Sequence, residues 1–379
     1  MKIVHLIKTT TGATWALRQI TELIKYGCDI HVVLPDSKNL YQKYIDAGAT
    51  VHILNVDIAQ GRRPLQLAKS LHAFRNLVDN IHPDIVHSHF VGTTLFMRIA
   101  LKDHKVKRIF QVAGPLHLEN PVTKNVEIRL ADKYDYWIPT CQLSKDIYLK
   151  SGIEENKLML TYYGTDISLY VPKIQGVLKT EFDIPKQKQI VGMVAYAYAP
   201  KKWLGQTRGI KGHEDLIDAM QIVCHDNPNV MCVIVGGAWV GASEYFETVK
   251  AYGKEKLGEK ILFLDTRKDV PDLYPDFDIV VHPSHSENLG GAGESLLMGV
   301  PTIATNIGGF PDIVIPNETG WLVPVKNADS LANAIKEALS NTELAHIFAT
   351  EGSKRVRNIL DVEKTSKDVH DFYKKILES

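Results

Sequence analysis

Cysteine is scarce in this sequence: four in 379 residues, Cys28, Cys141, Cys224 and Cys232, with no C-x-x-C pair. That scatter argues against a disulfide framework or a zinc site and fits a reducing compartment. Net charge is missing too. The 44 Lys+Arg balance 44 Asp+Glu, which argues against a dedicated nucleic-acid binder. No apolar run approaches the roughly 18 residues that span a bilayer. The chain opens on a strand pattern, Lys2 to Ile7, and not on a charged-then-apolar leader. The expectation is a cytoplasmic protein, at most peripheral at the inner face of the membrane. Charge is unevenly spread, with 21 Lys+Arg against 16 Asp+Glu in residues 1–170 and 23 against 28 beyond. A basic first half suits an anionic acceptor or membrane surface; an ordinary solvated surface is the plainer account.

What is present is a soluble-protein composition, 45% hydrophobic and 23% charged, long enough for two domains. Short apolar runs alternate with amphipathic helices, the pattern of a parallel α/β sheet. The first half predicts strands at Ile3–Ile7, Asp29–Leu34, Val51–Leu54, Ile85–His87, Ile109–Val112, Ile138–Thr140 and Leu158–Thr161. Helices are expected near Trp15–Tyr26, Pro64–Asn80 and Thr93–Lys102. Periodicity fades over Ser168–Gln189, which collects Pro172, Pro185 and several lysines and reads as a connection between domains. A second series follows: strands Ile190–Ala195, Met231–Val235, Ile261–Phe263, Asp278–His282, Thr302–Ala304 and Trp321–Val323, with a helix at His213–Cys224. The prediction is two Rossmann-like domains with parallel sheets facing an interdomain cleft, over 1–168 and 189–362, joined by 169–188. Ligands belong at the strand carboxyl ends.

The densest chemistry lies in His282–Thr305, HPSHSENLGGAGESLLMGVPTIAT. Glu287 and Glu294 flank a glycine-bearing loop between an apolar strand and a short helical segment ending at Gly299. Such a loop can present amides and a helix start to a phosphate, and the two acids can accept hydrogen bonds from sugar hydroxyls. Together they suggest a nucleotide-sugar site. The run Ala195–Gly209 (AYAYAPKKWLGQTRG) also stands out, placing three aromatics and three cations in a strand-to-helix connection. A loop of that length is functional or disordered, and its place after a strand favours function.

The second half resembles the group 1 (family 4) retaining glycosyltransferases of the GT-B fold. The matching residues are Lys211-Gly212-His213, Val235-Gly236-Gly237, His282-Pro283-Ser284, Glu287 with Glu294, Gly299-Val300-Pro301 and Gly308-Gly309-Phe310-Pro311-Asp312. The first half agrees more loosely, through Gly12, Pro83-Asp84-Ile85-Val86-His87-Ser88-His89 and Gly164-Thr165-Asp166. The resemblance implies transfer of a sugar from a nucleotide-diphosphate sugar, a UDP- or GDP-sugar first, to an acceptor hydroxyl with retained configuration. No cofactor and no metal are expected. The acceptor, a sugar, lipid-linked or small molecule, would bind mostly to the first domain, onto which the helix near 363–379 packs back. The setting would be polysaccharide, glycolipid or other glycoconjugate assembly.

By the same resemblance, Glu294 holds the ribose, Glu287 meets the transferred sugar, and Lys211 neutralises the leaving diphosphate. Amides over Leu289, Gly290, Gly291 and onward to Gly293 cradle the phosphates, with Asn288 and Gly236 beside them. Two departures stand out. Glu287 and Glu294 bracket six residues where the family has seven, and Tyr196 stands where the family often carries a phosphate-binding Arg. Arg208, Lys201 or Lys202 would have to supply that charge. In the first half His117 is placed to meet the donor sugar through its ring or its backbone carbonyl, an ordinary loop histidine being the alternative. Gly12 and its threonines resemble the loop that approaches phosphates or acceptor; a plain strand–helix turn is the other reading. His87 and His89 read as structural. Asp276-Phe277-Asp278 imitates a D-x-D metal motif, but it leads into a core strand, so capping explains it better. Asn317-Glu318-Thr319 matches a sequon that a cytoplasmic chain never uses. Two other functions stay open: a nucleotide-sugar epimerase, and a non-catalytic scaffold of the same fold.

Overall fold

The computed structural model describes residues 1–171, 175–201 and 205–379. The chain divides into two units, Met1–Asp166 with Ile359–Ser379, and Ile167–Asn358. Pro172, Lys202 and Trp203, all singled out above, lie outside the described residues.

The first unit is built on six strands: β1 (Lys2–Leu6), β2 (Asp29–Leu34), β3 (Thr50–Ile53), β4 (Ile85–Ser88), β5 (Lys107–Val112) and β6 (Asp135–Pro139). They form one parallel sheet in the order β3-β2-β1-β4-β5-β6. The strands read as near-continuous apolar runs because helices cover both faces. Ile3, Ile85 and Ile109 face the helix Thr14–Lys25 and the C-terminal helix Val362–Glu378. Val4, Leu6 and Val86 point the other way, against Phe74, Phe96 and Met97. The C-terminal helix starts on Asp361, whose carboxylate accepts from the Glu363 amide at 2.9 Å. Its Val369, Phe372, Tyr373 and Ile376 recur at helical spacing and are buried in this core. Leu158–Thr161 differs from expectation. It runs parallel beside the edge strand β6, with the Met159 and Thr161 amides donating to the Trp137 and Pro139 carbonyls (both 3.2 Å), but it closes only one bridge, Trp137 with Leu158, and so adds no seventh strand to the sheet.

The second unit repeats the plan with β7 (Gln189–Val194), β8 (Val230–Val235), β9 (Ile261–Phe263), β10 (Ile279–His282), β11 (Thr302–Thr305) and β12 (Trp321–Val323). Their order, β12-β11-β10-β7-β8-β9, is the same winding, and all pairs are parallel. Chain order reverses between β7 and β10. Connections leave those two strands toward opposite faces, so their carboxyl ends frame a crevice. The stretch 169–188, expected as a linker, contributes to this unit's core through Leu178 and Ile184. Asp276 explains how: its carboxylate accepts from the amides of Gly176 (2.5 Å) and Leu178 (2.7 Å). Asp278 accepts from the Ile190 amide at 2.7 Å. Both acids of the D-x-D decoy therefore bond to backbone amides.

Beneath the first unit's sheet surface, His5, His87 and His89 are fully buried. His5 Nδ1 meets His89 Nε2 at 2.9 Å, His89 Nδ1 meets the Tyr163 hydroxyl at 2.8 Å, and His87 Nδ1 meets the Tyr373 hydroxyl at 2.5 Å. Burial lowers all three ring pKa values, that of His5 from 6.5 to about 3. The unfolded chain binds protons on these rings below its ordinary value and the folded chain does not, so stability is complete above pH 6.5 and falls as pH drops toward 3. Thermal denaturation followed by circular dichroism will show a melting temperature that declines from pH 7 to pH 5. A flat melting temperature over that range would contradict neutral burial of the stack.

Candidate functional site

At the crevice between β7 and β10, the segment 283–291 after β10 carries the motif acids. Two glycines hold it by backbone contact. A Cβ on Gly212 would stand 2.1 Å from the Pro283 carbonyl oxygen, and one on Gly308 would stand 1.7 Å from that of Glu287. Both have positive φ, 74° and 57°, so glycine is required twice over. The Gly309 amide donates to the Asn288 carbonyl at 2.9 Å, and the His285 amide to that of Ile210 at 2.8 Å. The loop is thus clasped from both sides.

A pocket of about 230 Å³ opens here, lined by Tyr196, Tyr198, Lys211, Gly236, Gly291 and Glu294, with Thr266, Arg267 and Val270 closing it. A larger groove, about 1160 Å³, lies at the opposite edge, beside Gln189 and Asp278 at the strand amino ends. Ligands of parallel sheets bind at carboxyl ends, and the motif residues Lys211 and Glu294 line the smaller cavity, not the larger groove. That cavity is the candidate site.

Lys211 forms a short ion pair with Glu287. The two side chains are 19% and 15% exposed, so their attraction is less screened than that of a surface pair. Glu287 also accepts from the Asn288 amide at 3.0 Å. Glu294 lies in the helix Ala292–Leu297 and accepts from the hydroxyls of Tyr170 (3.0 Å) and Tyr274 (3.4 Å). Burial, with Glu294 next, raises the Tyr274 pKa well above its ordinary value, so it remains a donor. His282 is buried against Ser295 (3.1 Å); burial, with Lys211 second, lowers its pKa to about 3. It is a neutral support for the loop.

The predicted residues separate into groups. Tyr196, Lys211, Gly236, Gly291 and Glu294 line one cavity, and Glu287 joins them through Lys211. Asn288, Leu289 and Gly290 lie on the clasped loop, with Leu289 buried. Arg208, proposed as the missing phosphate cation, is already matched: its guanidinium reaches Asp215 at 2.6 Å and Asp218 at 2.7 Å. Those carboxylates raise its pKa against burial. Asp215 also holds His285, tying the loop after β10 to the helix His213–Asp226. Lys201 is solvent-exposed. Gly12 and His117 belong to the first unit. Gly12 has φ 78° in the turn after β1. The His117 ring lies 5.4 Å from that of Phe110 and 3.5 Å from the Tyr148 hydroxyl, and its carbonyl accepts from the Thr123 hydroxyl. Burial lowers its pKa. Both features through which His117 would meet a sugar therefore have partners inside its own unit.

Sequence reasoning missed Tyr170, Tyr198, Asp215 and His285. Tyr198 and His285 stood inside runs already singled out; Tyr170, 124 positions from Glu294, carried no local signal. Among the described residues, His5, His87 and His89 form a set of nitrogen atoms within 4.8 Å of one another. Their ring planes lie within 30° of parallel, so in-plane lone pairs do not converge on a point, and the set has no carboxylate. It suits a hydrogen-bonded stack better than a metal ion.

Family models match both halves: "Glycosyltransferase Family 4" over residues 12–169 and "Glycosyl transferases group 1" over 203–355. The chain is 24% identical to the capsular polysaccharide biosynthesis glycosyltransferase CapM of Staphylococcus aureus, over 99% of this chain and 97% of that one. It is 23% identical to a D-inositol 3-phosphate glycosyltransferase of Corynebacterium aurimucosum, over 86% and 82%. Its fold matches that of HepE from Anabaena, crystallised with UDP, at a TM-score of 0.79 with 21% identity, covering 98% of this chain and 99% of that one. With the two models matching in tandem along most of its length, this GT-B chain belongs to the group 1 glycosyltransferases.

Proposed function

We propose that the protein transfers a glycosyl unit from a UDP- or GDP-sugar to an acceptor hydroxyl, with retention at the anomeric carbon and without a metal ion, in polysaccharide, glycolipid or other glycoconjugate assembly. The observation that carries this reading is that Lys211 and Glu294 line one cavity at the β7–β10 crevice, with Glu287 ion-paired to Lys211. UDP in the HepE crystal and the polysaccharide role in CapM's name support the donor class and the setting. In this reading Glu294, held by two phenols, receives the ribose hydroxyls. Lys211 meets the diphosphate, and Glu287 turns to the sugar. Retention rests on the family resemblance. The diphosphate would leave with the bonding electrons and take the acceptor proton on the same face of the sugar. Metal independence, like retention, rests on the family resemblance, and the D-x-D acids are bonded to backbone amides.

The Lys211–Glu287 pair makes a distinctive prediction. A diphosphate must displace Glu287 from Lys211, so Glu287→Gln will tighten binding of free UDP or GDP by about fivefold, or ~1 kcal/mol, while slowing sugar transfer. Calorimetric titration giving unchanged or weaker nucleotide binding would overturn this arrangement.

Lys211→Ala will lower kcat by about 100-fold, in the range for removal of one preorganised stabiliser of leaving-group charge. Glu294→Ala will chiefly raise donor KM. The assay is a screen of UDP-, GDP- and ADP-sugars with and without EDTA, with product configuration read by NMR. Isomerised donor in the absence of acceptor would favour the epimerase instead, and activity lost to EDTA would end the metal-free reading.

A lipid-linked acceptor and peripheral membrane contact are supported by the helix Pro121–Arg129. It and the residue after it expose Val122, Val126 and Leu130 at four-residue spacing, 70%, 44% and 43% accessible, beside exposed Arg129 and Lys133. Vesicles rich in phosphatidylglycerol will co-sediment the protein, and Val122→Asp with Val126→Asp will reduce the bound fraction. Equal binding by parent and variant would remove this contact.

A further inference from the structure

Among the described residues, the candidate site holds one lysine where the family resemblance leads one to expect an arginine–lysine pair. Tyr196 occupies the end of β7. Arg208 is taken by Asp215 and Asp218. Arg267, on the far wall of the cavity, is fixed by Glu181 at 2.6 and 2.8 Å and by Asp269 at 2.8 and 2.6 Å. Both guanidiniums thus already have carboxylate partners.

Tyr198 is differently placed. The pairing of β7 with β8 continues past both strands through a bridge of Ala197 with Ala238. The Ala197 amide donates to the Gly237 carbonyl and the Trp239 amide to that of Ala197, both at 2.9 Å. Extended backbone sends alternate side chains to one face, so Tyr196 and Tyr198 fall on the same side. Trp239 packs against both: Tyr198 is stacked on it at 5.2 Å and 25°, and Tyr196 meets it edge-on at 5.5 Å. The Tyr198 ring is thereby fixed, with the Lys211 ammonium 5.8 Å from its centroid. Its hydroxyl has no hydrogen-bond partner among the described residues. Burial, then the nearby Glu287 carboxylate, pushes its pKa up to about 12, so the phenol keeps its proton at any working pH.

We propose that Tyr198 is a further catalytic residue, whose phenol donates a hydrogen bond to a non-bridging oxygen of the donor diphosphate and supplies the stabilisation that an arginine gives elsewhere. This rests on the assignment of the cavity to a nucleoside-diphosphate sugar. As the bond from the anomeric carbon to the diphosphate oxygen breaks, its electron pair leaves with the diphosphate. The acceptor oxygen bonds to the anomeric carbon, and its proton passes to the diphosphate. Tyr198 keeps its own proton throughout. Its hydrogen bond strengthens as negative charge collects, which is what makes a donor catalytic and not merely binding.

The test compares three variants of the full chain in transfer assays, with nucleotide binding by calorimetry as the check on folding. Tyr198→Phe keeps the ring, its stacking on Trp239 and the cation contact, and removes only the hydroxyl. The expected result is a kcat lowered about 100-fold with donor KM changed less than about threefold. Tyr198→Arg, which restores a charged donor, will recover to within about tenfold of the parent. A Tyr198→Phe variant with kcat within twofold of the parent, while Lys211→Ala is impaired, overturns the proposal and leaves the site standing. An arginine variant no more active than the phenylalanine one also overturns it. If Tyr198→Phe and Lys211→Ala both retain full activity, the assignment of the cavity itself fails.

Discussion

The site depends on backbone packed against backbone. The loop that carries Glu287 passes between Gly212 and Gly308, where any side chain would overlap a carbonyl oxygen. No rotamer change relieves such an overlap, so the loop's position is fixed by main-chain geometry rather than by adjustable side chains. The His285–Asp215 contact and the Gly309–Asn288 hydrogen bond then set its ends. Because Gly212 follows Lys211 directly, the same close approach that fixes the loop also fixes the lysine's origin. The ion pair between Lys211 and Glu287 is a consequence of this clasp.

Charge around the cavity is arranged in two kinds. Arg208 and Arg267 each answer to two carboxylates on their own scaffold, and moving Arg208 would leave the buried Asp215 with one partner fewer. Lys211 answers to one, and that one stands on the ligand-facing loop. On the proposed reading, a diphosphate entering the cavity exchanges one anion for another at Lys211 while the guanidinium clusters stay as they are. The pockets of phenol around Glu294 and Lys211 fit the same logic. Tyr170, Tyr198 and Tyr274 add hydrogen-bond donors without adding charge that would need balancing in the empty protein.

Much of the fold was legible in the sequence because parallel strands buried on both faces are short, apolar and β-branched, as β1, β8 and β10 are. Asp29–Leu34, Ile261–Phe263 and Trp321–Val323 begin and end where the pattern does. Leu158–Thr161 has the same composition and does lie along β6, but its backbone bonds close only one bridge; composition carries no information about how regular a pairing will be. The stretch 169–188 looked like a connection because it lacks periodicity. What binds it to the second unit is Asp276 gripping two amides about a hundred positions away, a long-range fact. The candidate site was legible where motif residues follow strand ends, as with Lys211, Glu287 and Glu294. It was illegible where a side chain's partner decides its use. Arg208 was read as available because its neighbours Asp215 and Asp218 gave no sign of which way they point, and His117 because Tyr148 and Thr123 lie elsewhere in the chain.

The one-residue shortening between Glu287 and Glu294 can be located in physical terms. Glu294 is tied to the helix Ala292–Leu297 and to two tyrosines, and Gly299 with φ 70° ends that segment where the motif requires. At the other end, Pro283 to Asn288 are held by Gly212, Ile210 and Gly308–Gly309. The lost residue must therefore come from Leu289–Gly291, the only part of the loop between these two anchorages. Gly290 has φ 47°, and its Cβ position lies 2.9 Å from the Glu287 carboxyl carbon, so the shortened turn folds back over the Glu287 side chain. That side chain has little room on the turn's side and lies toward Lys211. The shorter loop thus accounts for the ion pair: with Glu287 already beside the ammonium, an added guanidinium would compete for the same carboxylate, whereas the neutral phenol of Tyr198 does not.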